Sequence, residues 1–281
     1  MNRIDRTFQR LKKDNRKALI PFVVSGDGGE ETTSRMVLEL EAAGADLVEL
    51  GMPFSDPIAD GPAIQRAAGR ALGAGYTTKK LFRILETVRS RTEIPVVLMG
   101  YFNPILAYGV EPFCRDAARA GADGLLVVDL PLEQLAALKD PFQTAGLHSI
   151  LLAAPTSGPD RIERICGKAG GFVYYISLTG VTGTENALNL TEIHGNVRHI
   201  KSKTDLPVVV GFGISRPEQV RDAGHAADGV VVGSALVRVM ERHLDSPDLF
   251  EQARLFIEGL RAGLDSIESG GEGSLPRAAA V

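Results

Sequence analysis

Eight times along this chain a short run rich in Val, Ile and Leu gives way to a longer stretch with helical spacing. The runs cover residues 18–24, 46–50, 95–99, 124–128, 148–152, 172–176, 207–210 and 229–232. Unbroken apolar runs, as opposed to alternating ones, suit parallel strands buried on both faces. Helical stretches follow at 30–43, 77–91, 112–120, 131–145, 159–168, 191–202, 217–223, 233–244 and 248–264. Several open on proline, whose missing N–H costs nothing in a first helical turn. Several close on glycine (Gly44, Gly121, Gly146, Gly224), which suits a left-handed cap.

Strand–helix alternation repeated eight times predicts an α/β fold closed as a (β/α)8 TIM barrel in preference to an open sheet. The chain has 281 residues, and such a barrel takes about 250. Residues 1–268 therefore read as a single domain. Residues 269–281, rich in Gly, Ser and Ala, read as a disordered tail. Ahead of the first run, Ile4, Phe8 and Leu11 fall at helical spacing and predict an extra N-terminal helix across the bottom of the barrel. This segment lacks the apolar core of a signal peptide, which predicts a cytoplasmic protein. No apolar run reaches the ~20 residues of a membrane span. A net charge of −4 offers no field for nucleic acid or an anionic membrane surface. The two cysteines, Cys114 and Cys166, have no metal-ligand spacing and read as small buried residues of a reduced protein.

The chemistry-bearing residues cluster at the ends of the runs, the face on which barrel enzymes work. Glu49 interrupts an apolar run. Burial there should raise its pKa and fit it for general acid–base work near neutral pH. A proline-stiffened loop follows, carrying Asp56 and Asp60. For Asp56 a turn-forming role is as good a reading as a direct one. The loop at 211–215 (Gly-Phe-Gly-Ile-Ser) and the turn at 233–235 (Gly-Ser-Ala) stand after the seventh and eighth runs. That is the phosphate site of many such barrels, with a helix N-terminus adding its positive end. Between them, residues 177–186 form a long, polar, glycine-punctuated loop. It reads equally as a lid over substrate or as an ordinary solvated loop. Asp129, at the end of the fourth run, reads as a supporting residue. The histidines lie away from this face, and no His/Asp/Glu set has metal-ligand spacing.

Four segments carry a resemblance to the tryptophan synthase α chains: Pro21-Phe22-Val23, the stretch 47–65 (LVELGMPFSDPIADGPAIQ), Gly180-Val181-Thr182-Gly183, and residues 211–215. The second is highly specific, and the likeness runs from about Phe8 to about Leu264. It implies a (β/α)8 barrel that cleaves indole-3-glycerol phosphate to indole and glyceraldehyde 3-phosphate. It implies Glu49 and Asp60 as the catalytic pair and Tyr174 beside the glutamate. It implies Phe22 and Phe212 flanking the indole, and Gly183, Gly213, Gly233 and Ser234 as phosphate-binding backbone. Thr182 would help to position Asp60. No cofactor is implied in this chain; pyridoxal phosphate (PLP) is expected in a partner, the β chain, with an α2β2 assembly that consumes the indole. The chain departs from the enterobacterial form at Leu178, where that form has arginine, and in a longer C-terminal tail. Two alternatives share the resemblance: a free-standing indole-releasing lyase, and a weakly catalytic barrel that chiefly activates a partner. A barrel isomerase of the tryptophan or histidine pathway would need different strand-end acids and bases.

Overall fold

The computed structural model describes residues 1–176, 190–211 and 213–269. Its strands are all parallel: β1 (Ala18–Val24), β2 (Val48–Gly51), β3 (Val96–Gly100), β4 (Gly124–Val127), β5 (His148–Ser149), β6 (Leu151–Ala153), β7 (Val173–Ile176), β8 (Val208–Gly211) and β9 (Gly229–Val232). They run in the order β5-β4-β3-β2-β1-β9-β8-β7-β6. The two ends of that order, β5 and β6, are one expected strand divided at Ile150. The Ile150 N–H still donates to the Leu125 carbonyl at 3.0 Å, so the ring closes through it. Eight expected strands thus appear as eight staves, one of them in two pieces.

Alternation within the staves explains their unbroken hydrophobicity. Residues at every second position (Ile20, Leu47, Val97, Leu126, Phe172, Tyr174, Val209, Val231) fill the barrel interior. Their neighbours (Leu19, Val23, Leu50, Leu98, Leu125, Val210, Val230) face the helical coat. Helix α1 (Arg3–Lys13) closes the bottom as expected, with Ile4, Phe8 and Leu11 packed on the interior set and Phe8 tilted against Phe172. The coat follows as α2 (Glu30–Ala42), α3 (Pro62–Gly73), α4 (Thr78–Arg89), α5 (Phe102–Tyr108), α6 (Val110–Ala120), α7 (Ala136–Ala145), α8 (Pro159–Cys166), α9 (Leu190–Lys201), α10 (Pro217–Gly224), α11 (Ser234–His243) and α12 (Leu249–Ser269). Both cysteines are buried, in α6 and α8. Among the described residues no helix is long and apolar enough to cross a membrane, and no His/Cys/Asp/Glu group is arranged to hold a metal.

Several expectations need adjustment. Helices α3 and α5 were not expected, and α12 runs five residues past the expected end at Leu264. The stretch 131–145 is helical only from Ala136. Gly121 and Gly146 are left-handed caps, but Gly224 is the last residue of α10 and serves close packing. A side chain there would meet Ile267 at 2.6 Å and Leu264 at 2.7 Å on α12. Residues 270–281, the bulk of the expected tail, lie outside the described residues.

The bottom of the barrel is fastened by a repeated device. Asp46, just before β2, accepts from the Leu19 N–H of β1 at 3.0 Å. Asp123 likewise accepts from Val96 of β3 at 2.9 Å, and Asp228 from Val208 of β8 at 2.9 Å. In each case the carboxylate before one strand bonds the start of the preceding strand, clamping the strand–helix–strand unit between them. Each is also held by a cation: Arg261 on Asp46, Arg89 and Arg3 on Asp123, Lys201 on Asp228. Burial pushes the Asp123 carboxyl up, and the Val96 N–H and the two guanidiniums oppose it. Removing this carboxylate takes one partner from each arginine, although Arg3 keeps Glu93 and Arg89 keeps the Thr92, Ile94 and Gly121 carbonyls. It leaves the buried Val96 N–H without its acceptor, which costs ~1–3 kcal/mol. Asp123→Ala should lose about that much stability in urea unfolding, while the arrangement of side chains at the C-terminal ends of the strands stays unchanged, because the clamp lies at the opposite end of the barrel. A variant as stable as the parent would show that the clamp contributes nothing.

Candidate active site

The C-terminal mouth is built around Glu49. Its strand register sets it beside Phe22 of β1 and Val97 of β3, in the inward-facing layer. The carboxyl is completely buried, and neither oxygen has a hydrogen-bond partner. Burial alone pushes its pKa up to about 8. Nothing in packing requires a carboxyl in such a place, and an unpaired one is costly to keep ionised. Tyr174 of β7 is also buried in this layer. Desolvation, and then the nearness of Glu49, raise its hydroxyl well above the ordinary phenol value. The Tyr174 ring crosses the strand end at Gly211, where any side chain would collide with its hydroxyl. Gly51 does the same for Phe22, whose ring would lie 2.5 Å from an added Cβ. Glycine at these two positions lets large side chains lie across the mouth.

Asp60 sits in the loop after β2, and this loop is pinned at three points. The Asp60 N–H donates to the Pro57 carbonyl at 3.1 Å. The Gln65 amide of α3 donates to the Asp60 carbonyl at 2.8 Å. Tyr101, just past the end of β3, accepts from the Ala59 N–H at 3.0 Å and packs its ring 5.2 Å from that of Phe54. Burial raises the Asp60 carboxyl, and the facing Tyr101 hydroxyl draws it back down. Phe22, Gly51, Asp60, Met99, Tyr101 and Val128 line a small pocket between the loop and the barrel. Asp56, by contrast, is exposed and accepts from Ser55, which fits a turn former. Asp129 accepts from the Phe102 N–H at 2.8 Å, so it fixes the start of α5 directly behind Tyr101.

Two strands along the same rim, Gly233 is the residue before α11 and lies 3.8 Å, measured from an ideal Cβ, from Phe22. Ser234 begins the helix and is buried. The first N–H groups of α11 are unpaired within the helix and carry its positive end. Gly213 is exposed, with open space where a side chain would stand. The structure therefore brings Phe22, Glu49, Tyr174, Gly233 and Ser234 to one mouth and Asp60 to its edge. Thr182, Gly183, Leu178 and Phe212 lie outside the described residues. Tyr101 was missed in the sequence, although it obeys the strand-end rule that selected Glu49.

Fold and site together define a class: a (β/α)8-barrel enzyme with carboxyl groups at its C-terminal mouth. The family model described as tryptophan synthase alpha chain matches residues 8–261. A tryptophan synthase alpha chain of Geobacter sp. (strain M21) is 49% identical over 264 residues, covering 94% of this chain and 98% of that one. That of Halorhodospira halophila is 45% identical over 273 residues, covering 97% of this chain and 100% of that one. The crystal structure of tryptophan synthase subunit alpha from Legionella pneumophila superposes with a TM-score of 0.89 at 39% identity, covering 95% of this chain and 100% of that one. The chain belongs to the tryptophan synthase α chain family. It is a carbon–carbon lyase of tryptophan biosynthesis, cleaving indole-3-glycerol phosphate to indole and glyceraldehyde 3-phosphate.

Proposed function

We propose that Glu49 and Asp60 carry this cleavage as an acid–base pair with divided roles. The observation behind the reading is Glu49 itself: a buried carboxyl without a partner at a strand end, its pKa raised to about 8. At neutral pH such a group holds its proton. It can deliver that proton to C3 of the indole, turning the ring into an electron sink. The ring nitrogen then gains positive character, and an ionised Asp60 stabilises it. Having lost its proton, Glu49 is a base for the side-chain hydroxyl next to the ring. Removing that proton lets the carbon–carbon bond break in the retro-aldol sense. The two environments support the division: Glu49 is wholly desolvated, and Asp60 stands in a polar loop facing a hydroxyl.

In the same reading Phe22 and Phe212 flank the indole, and Tyr174 stands beside Glu49. The phosphate rests on the backbone of Gly183, Gly213, Gly233 and Ser234, and Thr182 helps to orient Asp60. The chain itself uses no cofactor. Its partner is a PLP-dependent β chain in an α2β2 complex in the cytoplasm, and the indole passes to that chain.

The test is to supply indole-3-glycerol phosphate and follow indole, with and without a β chain, while sedimentation reports the complex. Slow release by the chain alone, raised on complex formation, is expected. A docked partner would favour closure over the site and exclude water. By linkage, substrate should then tighten the complex. Full activity in isolation with no complex formed would favour a free-standing lyase instead.

A further inference from the structure

Helix α3 carries Asp60 at its entrance, yet its grip on the barrel is slight. Its buried residues are Ala63, Ala67, Ala68 and Ala71; the first three pack on Phe22, Val24 and Val237, with the half-buried Ile64 beside them. Alanines bury little apolar area each, so this face contributes modestly and tolerates sliding. Gly69 and Gly73 lie within the same helix.

What fixes α3 is a set of charges. Arg70 of α3 makes two parallel bonds of 2.8 Å each to Asp27, from the loop after β1. Its third nitrogen reaches Glu241 of α11 at 2.8 Å. Arg66, one turn earlier on α3, makes two bonds of 2.7 Å to the same Glu241. The Asp27 carboxylate is 1% exposed and Arg70 is 30% exposed. The two arginines hold Glu241 down at about 2, so it stays ionised at any working pH. Planar two-point pairs of this kind fix direction as well as distance. One end of the clasp is thus α3, whose first turn holds the Asp60 carbonyl through Gln65. The other is α11, which the clasp grips at Glu241, about two turns along the same rigid helix from Ser234.

We propose that Arg70, clasped to Asp27 and Glu241, is a positioning residue for the lyase step. It sets the distance between the loop bearing Asp60 and the helix end that receives the substrate's phosphate. The proposal rests on the reading of Asp60 and α11 given above. Arg70 touches no substrate. It acts by giving α3 one place to stand relative to the bound phosphate, so that Asp60 meets the ring nitrogen when the phosphate is seated.

Glu241→Ala cuts the charged link between the helices, leaving their apolar contact at Val237 and the Arg70–Asp27 pair in place. It therefore avoids the folding defect that Arg70→Met, which strands the buried Asp27, is liable to cause. Steady-state indole release should show kcat lowered at least ~10-fold, since misplacement by 1 Å can cost up to ~10²-fold. KM and the Kd for inorganic phosphate should stay within about threefold, because α11 keeps its own seat on the barrel. The acid limb of the kcat profile should also move to lower pH. Burial raises Asp60, and a loosened α3 exposes it. Glu241→Gln, which keeps one acceptor for Arg70, should recover part of kcat. A Glu241→Ala enzyme with lowered Tm but unchanged kcat and an unmoved acid limb would make the clasp merely structural and overturn the proposal. An inactive parent chain would sink the lyase reading and the proposal with it; an active parent matched by Glu241→Ala sinks the proposal alone.

Discussion

Glu49→Gln should release indole ~10²–10⁴-fold more slowly than the parent, the usual worth of a general acid or base. Glutamine has nearly the same shape, so the mouth should keep its packing and the substrate its seat. It has no proton to deliver to C3 and cannot serve afterwards as a base. Both halves of the step therefore fail together, and kcat should fall with little change in KM. Wild-type-like turnover in a folded Glu49→Gln enzyme would remove Glu49 from the mechanism.

A second consequence concerns stability, with its sign set by the direction of the shift. The ordinary pKa of a glutamate here is 4.5, and in the folded chain it stands at about 8. Between those values the unfolded chain releases a proton that the folded chain retains. The folded state is thus penalised increasingly as pH rises through that window. Glutamine does not titrate. The stability of Glu49→Gln should fall less steeply than that of the parent from pH 4.5 to 8, whatever their absolute values. Parallel stability curves across that window would mean that Glu49 is not held protonated by the fold.

How much of this was legible beforehand depended on what kind of signal each element carries. Strands buried on both faces announce themselves as apolar runs, and their boundaries came out within two residues. Helix α3 was silent because its buried stripe is alanine, which looks like surface composition. Helix α5 is seven residues long with Pro104 inside and one buried side chain, Ile105, too little for a period to show. The division at Ile150 depends on local geometry that composition does not encode. Glu49 stood out because a charge inside an apolar run needs a reason. Asp60 did not: spacing alone treats it like Asp56, and only the family motif separated them. The structure separates them physically, one exposed beside Ser55 and the other facing Tyr101. The clasp was beyond reach, since Arg70 and Glu241 are 171 residues apart and meet only because the barrel closes.

Asp60→Asn should lower kcat on the order of 10²-fold, in the range found when one preorganised electrostatic partner is removed from a transition state. Asparagine still offers an oxygen to the ring N–H, so ground-state binding and KM should change by a few-fold at most. What it lacks is the negative charge that opposes the positive character developing on the ring nitrogen once C3 is protonated. That charge matters only as the reaction proceeds, so its loss belongs in kcat. The pH profile gives an independent check. In the parent, kcat should fall on the acid side as Asp60 takes up a proton, at a pH above the ordinary aspartate value because burial raises it. On the alkaline side it should fall near pH 8, where Glu49 loses the proton it must deliver. Asp60→Asn should abolish the first limb and keep the second; Glu49→Gln should do the reverse. A variant in which KM alone rises, with both limbs intact, would make Asp60 a ground-state binding group and leave the charge on the indole nitrogen to be met by another residue.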